Sequence, residues 1–223
     1  MTWAGGPLPG YHAGVTRRWY IDDAPTTIQL RAIEELLREG GVVLLPTDTI
    51  YGLHALATNE EAVAKIVRMK GRDEAKPFIA LAGSIEQLTG LGIAADPDVL
   101  RSLSEIWPAP LTAILPLREP IAASRGASSL AVRIPALDWL RELASRVGPL
   151  VSTSANQSGE APVTNPSNLA RPLHESLDAI IDGGERSGQA SAILDLTGAE
   201  PRFIREGENT FTQKVWKTLR KSL

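Results

Sequence analysis

Three cations, Lys70, Arg72 and Lys76, fall within seven positions of "MKGRDEAKPF" (69–78), in a chain of 223 residues whose formal net charge is −3. Lysine brings a compact point charge and arginine a planar fork of donors, a combination that can grip a polyphosphate. Lys70 is also accounted for by its place in the last turn of a helix, where the dipole favours cations. Arg72 and Lys76 lie beyond the glycine that ends that helix, so this account covers them less well. Two more arginines interrupt apolar strands, Arg133 in "LAVRIP" and Arg205 in "FIREG". A cation on a strand either faces solvent or meets a specific anion. The apolar neighbours on both sides of Arg133 favour the anion.

Neutral polar groups gather at the ends of strand-like runs, where α/β sheets usually keep their sites. "PTDTIYG" (46–52) offers the hydroxyls of Thr47, Thr49 and Tyr51 and the carboxylate of Asp48. They could hold a small polar ligand, or Thr and Asp could bond their own turn. "VSTSANQSGEAPVT" (151–164) ends a strand in Ser152, Thr153 and Ser154, then Asn156 and a Gly-containing turn. This is either a rim of donors for phosphate oxygens or an amino acid, or a plain turn. "DGGERSGQAS" (182–191) could aim backbone N–H groups at an anion, though joining two strands is the commoner use. The absent motifs narrow the chemistry. There is no G-x-x-x-x-G-K-[ST], no G-x-S-x-G and no H-E-x-x-H. "GLGIAA" (90–95) imitates a dinucleotide fingerprint but follows a helix-like segment. The chain has no cysteine, and His12, His54 and His174 lack metal-ligand spacing. A common nucleophile or a transition-metal centre is not expected.

These groups must be positioned by an ordinary globular fold, since hydrophobic residues make up 43% and charged residues 22% of the chain. Residues 1–18 are rich in Gly and Pro and read as a loose extension, with one domain over 19–223. "TTIQLRAIEELLREGG", "NEEAVAKIVRMKG", "DPDVLRSLSEIW", "ALDWLRELASRVG", "NPSNLARPL" and "TFTQKVWKTLRKS" predict helices from caps and apolar spacing. "VVLLPT", "PFIALAG", "LTAILPL", "LAVRIP", "PLVSTS", "DAIID", "SAILDLT" and "RFIRE" predict strands. Helices do not separate every strand pair, so a mixed sheet is expected rather than a purely parallel one. No apolar run approaches the roughly 18 to 20 residues of a membrane span, and the N-terminus lacks a signal-peptide pattern. A soluble cytoplasmic protein is the expectation.

The successive stretches "GGVVLLPTDTIYGL", "KGRDEAKP", "WPAPLTAIL", "LAVRIP", "VSTSANQSGEAPVT", "IDGG" and "FIREG" resemble the blocks of the YrdC-like threonylcarbamoyl-AMP synthases over about residues 20–207. The family's Lys-x-Arg and Ser-x-Asn pairs stand here as Lys70, Arg72, Ser154 and Asn156. The resemblance implies a single-domain YrdC/RibB-like fold, an open twisted mixed α/β sheet flanked by helices with a concave active-site face. It implies condensation of L-threonine, bicarbonate and ATP, with Mg²⁺, into threonylcarbamoyl-adenylate and pyrophosphate. A downstream transferase then uses that product to modify tRNA. By motif position, Thr49, Arg133, Ser152 and Ser191 would bind threonine. Arg72, Lys76, Ser129, Ser154, Pro162 and Arg205 would line the ATP side, with Lys70 beside Arg72 at the phosphates and Asn156 beside Ser154. No residue serves as a nucleophile.

Departures from the family pattern are His54 where glycine is commoner, Lys76 where some members have asparagine, Leu81 where some have histidine, and Ala192 for a common threonine. The chain stops soon after "FIREGENTF", which reads as the short type without a C-terminal domain. Three alternatives follow from the same residues. A YciO-like paralogue shares the fold, but such chains lose the two pairs kept here. A tRNA or double-stranded RNA binding module would use the cations on phosphates, with steep salt dependence, yet leaves the hydroxyl-lined strands unexplained. Carbamoyl transfer, as in hydrogenase-maturation proteins, normally comes with additional domains.

Overall fold

The computed structural model describes residues 16–71, 77–156, 161–186 and 189–220. Its frame is one ten-stranded sheet in the order β1-β8-β2-β3-β7-β4-β6-β5-β9-β10. The strands are β1 (Arg17–Tyr20), β2 (Val43–Pro46), β3 (Tyr51–Leu56), β4 (Ile79–Leu81), β5 (Leu111–Pro116), β6 (Ser129–Arg133), β7 (Leu150–Ser154), β8 (Ala179–Asp182), β9 (Ala192–Asp195) and β10 (Arg202–Arg205). Four pairs are parallel (β1/β8, β2/β8, β4/β6, β5/β9) and five antiparallel (β2/β3, β3/β7, β4/β7, β5/β6, β9/β10), so the sheet is mixed as expected.

Strand residues alternate between two faces, and here the two faces differ in chemistry. One carries Leu44, Leu53, Ala80, Ala113, Val132, Val151, Ile180 and Leu194 into a continuous apolar core. It packs against α2 (Glu60–Lys70), α3 (Ile85–Gly90), α4 (Pro97–Ile106), α6 (Arg171–Ser176) and α7 (Asn209–Leu219). The other face is apolar only in part. Val43, Leu45, Leu81, Leu150, Ala179 and Ile181 pack under α1 (Thr27–Arg38) and α5 (Asp138–Val147) through Ile33, Leu37, Trp139, Leu140 and Leu143. Along that face the strands then turn polar, at Ser152 and Ser154 of β7, Ser129 and Arg133 of β6 and Thr112 of β5.

Local signals explain why the helices lie where they do. Thr26 caps α1 in a reciprocal box with Gln29. Asn59 accepts from Ala62 N at the start of α2, and Gly71, in the left-handed region at φ 53°, ends it. "GLGIAA" follows α3, not a strand, so no dinucleotide turn forms.

The expectations fail in three places. Tyr51–Leu56 is a strand although Gly52, His54 and Ala55 are poor strand formers; hydrogen bonding to β2 on one side and β7 on the other imposes it. "NPSNLARPL" is not one helix. Pro166 and Pro172 each open a separate helical turn, at Pro166–Asn168 and in α6, with Leu169 and Ala170 extended between them. Arg17 and Arg18, placed in the loose extension, pair with β8.

Candidate functional site

Where the second face leaves the cover of α1 and α5, a cavity of about 420 Å³ opens over the sheet. Its floor is apolar: Ile79 and Leu81 of β4, Ala131 of β6, Ile114 of β5 and Ile193 of β9. Register brings them side by side, with Ile79 opposite both Ser152 and Ala131, and Ala131 opposite Ile114. The rim is polar. Thr47, Thr49 and Tyr51 come from the β2–β3 turn, Ser152, Thr153 and Ser154 from β7, and Ser191 and Arg205 from the β9 and β10 end. An apolar floor with a few convergent polar groups is the usual form of a small-molecule site.

Arg133 is the most deeply buried cation of this site, 4% exposed. Its anion is Asp48, whose Oδ1 lies 3.1 Å from Nη2. Nη1 donates to Thr49 Oγ1 at 3.2 Å, and Thr49 and Thr47 share a hydroxyl–hydroxyl bond at 2.9 Å. Nε is buried without a partner. Burial holds the Arg133 guanidinium below its usual pKa; Asp48 opposes that depression and Arg205 adds to it. Two cations therefore face one cavity, a field that suits an anionic ligand. Arg205 is itself lowered by burial and donates from Nε to Ser191 O at 2.7 Å. Ser191 Oγ and Thr112 Oγ1 stand 2.8 Å apart, both buried.

Of the residues singled out in the sequence, Thr49, Arg133, Ser152, Ser154, Pro162, Ser191 and Arg205 all line this cavity. Ser129 shares the strand face of Ala131 and Arg133 but lies beyond the wall. Lys70, expected at the phosphates, lies at the end of α2 and is not among the lining residues. Its buried ammonium donates to Ser154 O at 2.7 Å, Asn156 O at 2.5 Å and Asn156 Oδ1 at 3.1 Å. Ser154 Oγ bonds the same Asn156 Oδ1. Lys70 thus ties the end of α2 to the end of β7, and three oxygens on one ammonium leave it turned toward that loop. Arg72 and Lys76 lie outside the described residues; Pro77, next in sequence, is on the cavity wall.

The sequence pointed to Tyr51 and His54 without fixing their surroundings, and only Thr112, a neighbour of the wall residue Ser191, was passed over. Thr112 was legible as a hydroxyl in the apolar run "LTAILPL". Tyr51 donates its hydroxyl to Gly184 O at 2.7 Å and accepts from Gly183 N at 2.9 Å, fastening the cavity edge to the loop after β8. His54, opposite Ser152 on the same face, is fully buried with its ring against the Gly52 backbone. Burial lowers its pKa to about 3; a hydrogen bond with the Gly52 backbone opposes this, and the nearby Arg133 charge adds to it.

Among the described residues, no cysteine, histidine or carboxylate lines the cavity. The arrangement provides donors and fixed positive charge rather than covalent catalysis, which suits positioning of an anionic substrate and stabilisation of charge on it. Fold and site together define an α/β protein with a pocket for a small anionic or zwitterionic ligand beside a hydroxyl-rich strand end.

The chain belongs to the Sua5/YciO/YrdC family, described under telomere recombination, whose profile matches residues 35–207. It is similar to the threonylcarbamoyl-AMP synthase of Pyrococcus abyssi, 37% identical over 185 residues, covering 80% of this chain and 54% of that protein. The Bacillus subtilis threonylcarbamoyl-AMP synthase is 35% identical over 210 residues, covering 89% of this chain and 60% of that one. The Pseudomonas aeruginosa synthase is 35% identical over 176 residues, 77% of this chain and 94% of that protein. The chain therefore spans little more than half the length of the first two relatives. Pyrococcus abyssi Sua5, solved in complex with L-threonine, superposes with a TM-score of 0.81 at 33% identity, over 90% of this chain and 61% of that one. Escherichia coli YciO shares the fold, with a TM-score of 0.77 at 24% identity.

Proposed function

We propose that this chain is a threonylcarbamoyl-AMP synthase. The observation that carries the reading is the convergence on one cavity of Thr49, Arg133, Ser152 and Ser191 with Ser154, Pro162 and Arg205. Relatives at 35–37% identity that carry this name support it, as does the likeness to the L-threonine complex of Pyrococcus abyssi Sua5. Threonine lies over the apolar floor with its carboxylate on Arg133 and its hydroxyl among Thr49, Ser152 and Ser191. ATP occupies the side of Ser129, Ser154, Pro162 and Arg205, with Arg72 and Lys76 at its phosphates. Lys70 and Asn156 hold the Ser154 loop in place.

The amine of threonine takes up CO₂, or bicarbonate with loss of water, to give a carbamate. A carbamate oxygen attacks the α-phosphorus, the bond to the β-phosphate oxygen breaks, and pyrophosphate leaves. The step needs orientation and charge neutralisation, not a protein nucleophile. ATP brings about four negative charges and Mg²⁺ offsets two, so several cations are required. The Mg²⁺ is taken to arrive on the triphosphate. The adenylate then passes to a transferase that modifies tRNA. No helix among the described residues is long and apolar enough to cross a membrane.

The test is pyrophosphate release from ATP, Mg²⁺ and bicarbonate, with threonine, serine or no amino acid. Release should depend on threonine, and Arg133→Ala and Arg72→Ala should lower it by about a hundredfold or more, as loss of a donor to developing charge does. Release that ignores the amino acid would overturn the reading.

A further inference from the structure

Thr112 is 0% exposed, and among the described residues its hydroxyl has one hydrogen-bond partner, Ser191 Oγ at 2.8 Å. It shares the cavity face of β5 with Ile114, two residues on, which forms part of the floor. Each hydroxyl carries a single proton, so one of the pair donates to the other and one proton is left over. If Ser191 were the donor, the leftover proton would be that of Thr112. It would be sealed from solvent without an acceptor, a state that protein interiors avoid. With Thr112 as donor, the leftover proton belongs to Ser191, which lines the cavity. There a ligand can take it. Burial therefore sets the direction of the bond: Thr112 donates, and Ser191 turns its own O–H to the cavity.

The position of Ser191 is fixed from two more sides. Its carbonyl accepts from Arg205 Nε at 2.7 Å, and the N–H of Ala192, next in the chain, donates to Pro110 O at 2.9 Å. A donor held in this way loses little freedom when a ligand oxygen reaches it. Building on the proposed function, which sets threonine's hydroxyl among Thr49, Ser152 and Ser191, we propose that Thr112 is a positioning residue that fixes Ser191 as a hydrogen-bond donor to that hydroxyl oxygen. The pair selects amino acids with an oxygen on the side chain. An aliphatic side chain of the same length would bury the Ser191 donor unpaired, and a site built for a hydroxyl rejects the analogue that lacks it.

The test compares L-threonine with L-2-aminobutyrate, which keeps the carbon skeleton, amine and carboxylate and lacks only the hydroxyl. Calorimetric titration of the wild type should show threonine binding at least about tenfold more tightly, the scale of a hydrogen bond whose buried donor is otherwise unpaired. Thr112→Val keeps the shape and removes the donor. The preference should then fall by about threefold or more, through weaker threonine binding alone. Thr112→Ser keeps a hydroxyl and should retain the preference. In a Ser191→Ala background, Thr112→Val should move the ratio no further, because its effect passes through Ser191. A merely structural role would weaken both ligands alike and leave their ratio unchanged. That result, or a further fall in the Ser191→Ala background, would overturn the proposal. Melting curves without ligand show whether each variant is folded, and if Thr112→Val is not, Thr112→Ala is read by the same ratio. A wild type that binds no amino acid would overturn this inference together with the proposed function. Threonine binding with no preference over 2-aminobutyrate would remove the Thr112–Ser191 inference alone.

Discussion

His54 carries a fully buried imidazole packed against Gly52 and within reach of the Arg133 charge. Its ring stays neutral in the folded protein down to about pH 3, while the unfolded chain takes up the proton near 6.5. The unfolded state therefore binds more protons between these values. His54's contribution to stability is complete above pH 6.5 and is lost as the pH falls toward 3, at up to about 1.4 kcal/mol per unit. Melting temperatures of wild type and His54→Leu should diverge between pH 6.5 and 5, where most carboxylates have not begun to titrate. The wild type should lose stability across that window and the variant should hold nearly constant. Parallel slopes would show that His54 is solvated in solution.

Between elements, the site depends on how closely β3 and β7 approach and on the tie between α2 and β7. A Cβ built on Gly52 would lie 2.7 Å from His54 Cε1 and 3.2 Å from Thr153 O. Gly52→Ala should destabilise the protein by about 1–3 kcal/mol, the usual range for overpacking. In a His54→Gly background more than half of that effect should vanish, a coupling that a double-mutant cycle in denaturant would measure. Lys70→Met should free Ser154 O and both Asn156 oxygens from their shared ammonium. Hydrogen exchange of residues 150–156 should rise, and pyrophosphate release should fall at least about tenfold, chiefly through a higher KM for ATP. Unchanged exchange in that segment would mean that the loop is held by other contacts.

At the scale of the whole molecule, a ligand that fills the cavity touches seven strands and both ends of the polar face, so binding should stabilise the fold globally. Threonine at about a hundred times its Kd adds about 2.7 kcal/mol, which for a domain of this size raises Tm by about 5 to 10 °C. A thermal scan against threonine concentration checks this; no shift at any concentration would exclude the cavity as the amino-acid site. Much of the molecule was legible in the chain itself. Caps such as Thr26 and Asn59, the closing Gly71 and the apolar runs located five of the helices and eight strands, because those signals are local. The order of hydroxyl and arginine motifs named the family and seven residues that meet in the cavity. Other features depended on tertiary structure. Tyr51–Leu56 became a strand because neighbours on both sides demanded hydrogen bonds, against its own propensity. Lys70 had a helix end and a phosphate as candidate partners, and only the folded chain offered it the oxygens of Ser154 and Asn156. Asp48 looked like a turn residue until Arg133, 85 positions later, was brought against it. Spacing along the chain carries local preference, but which charges face one another inside a sheet is decided by strand order and register.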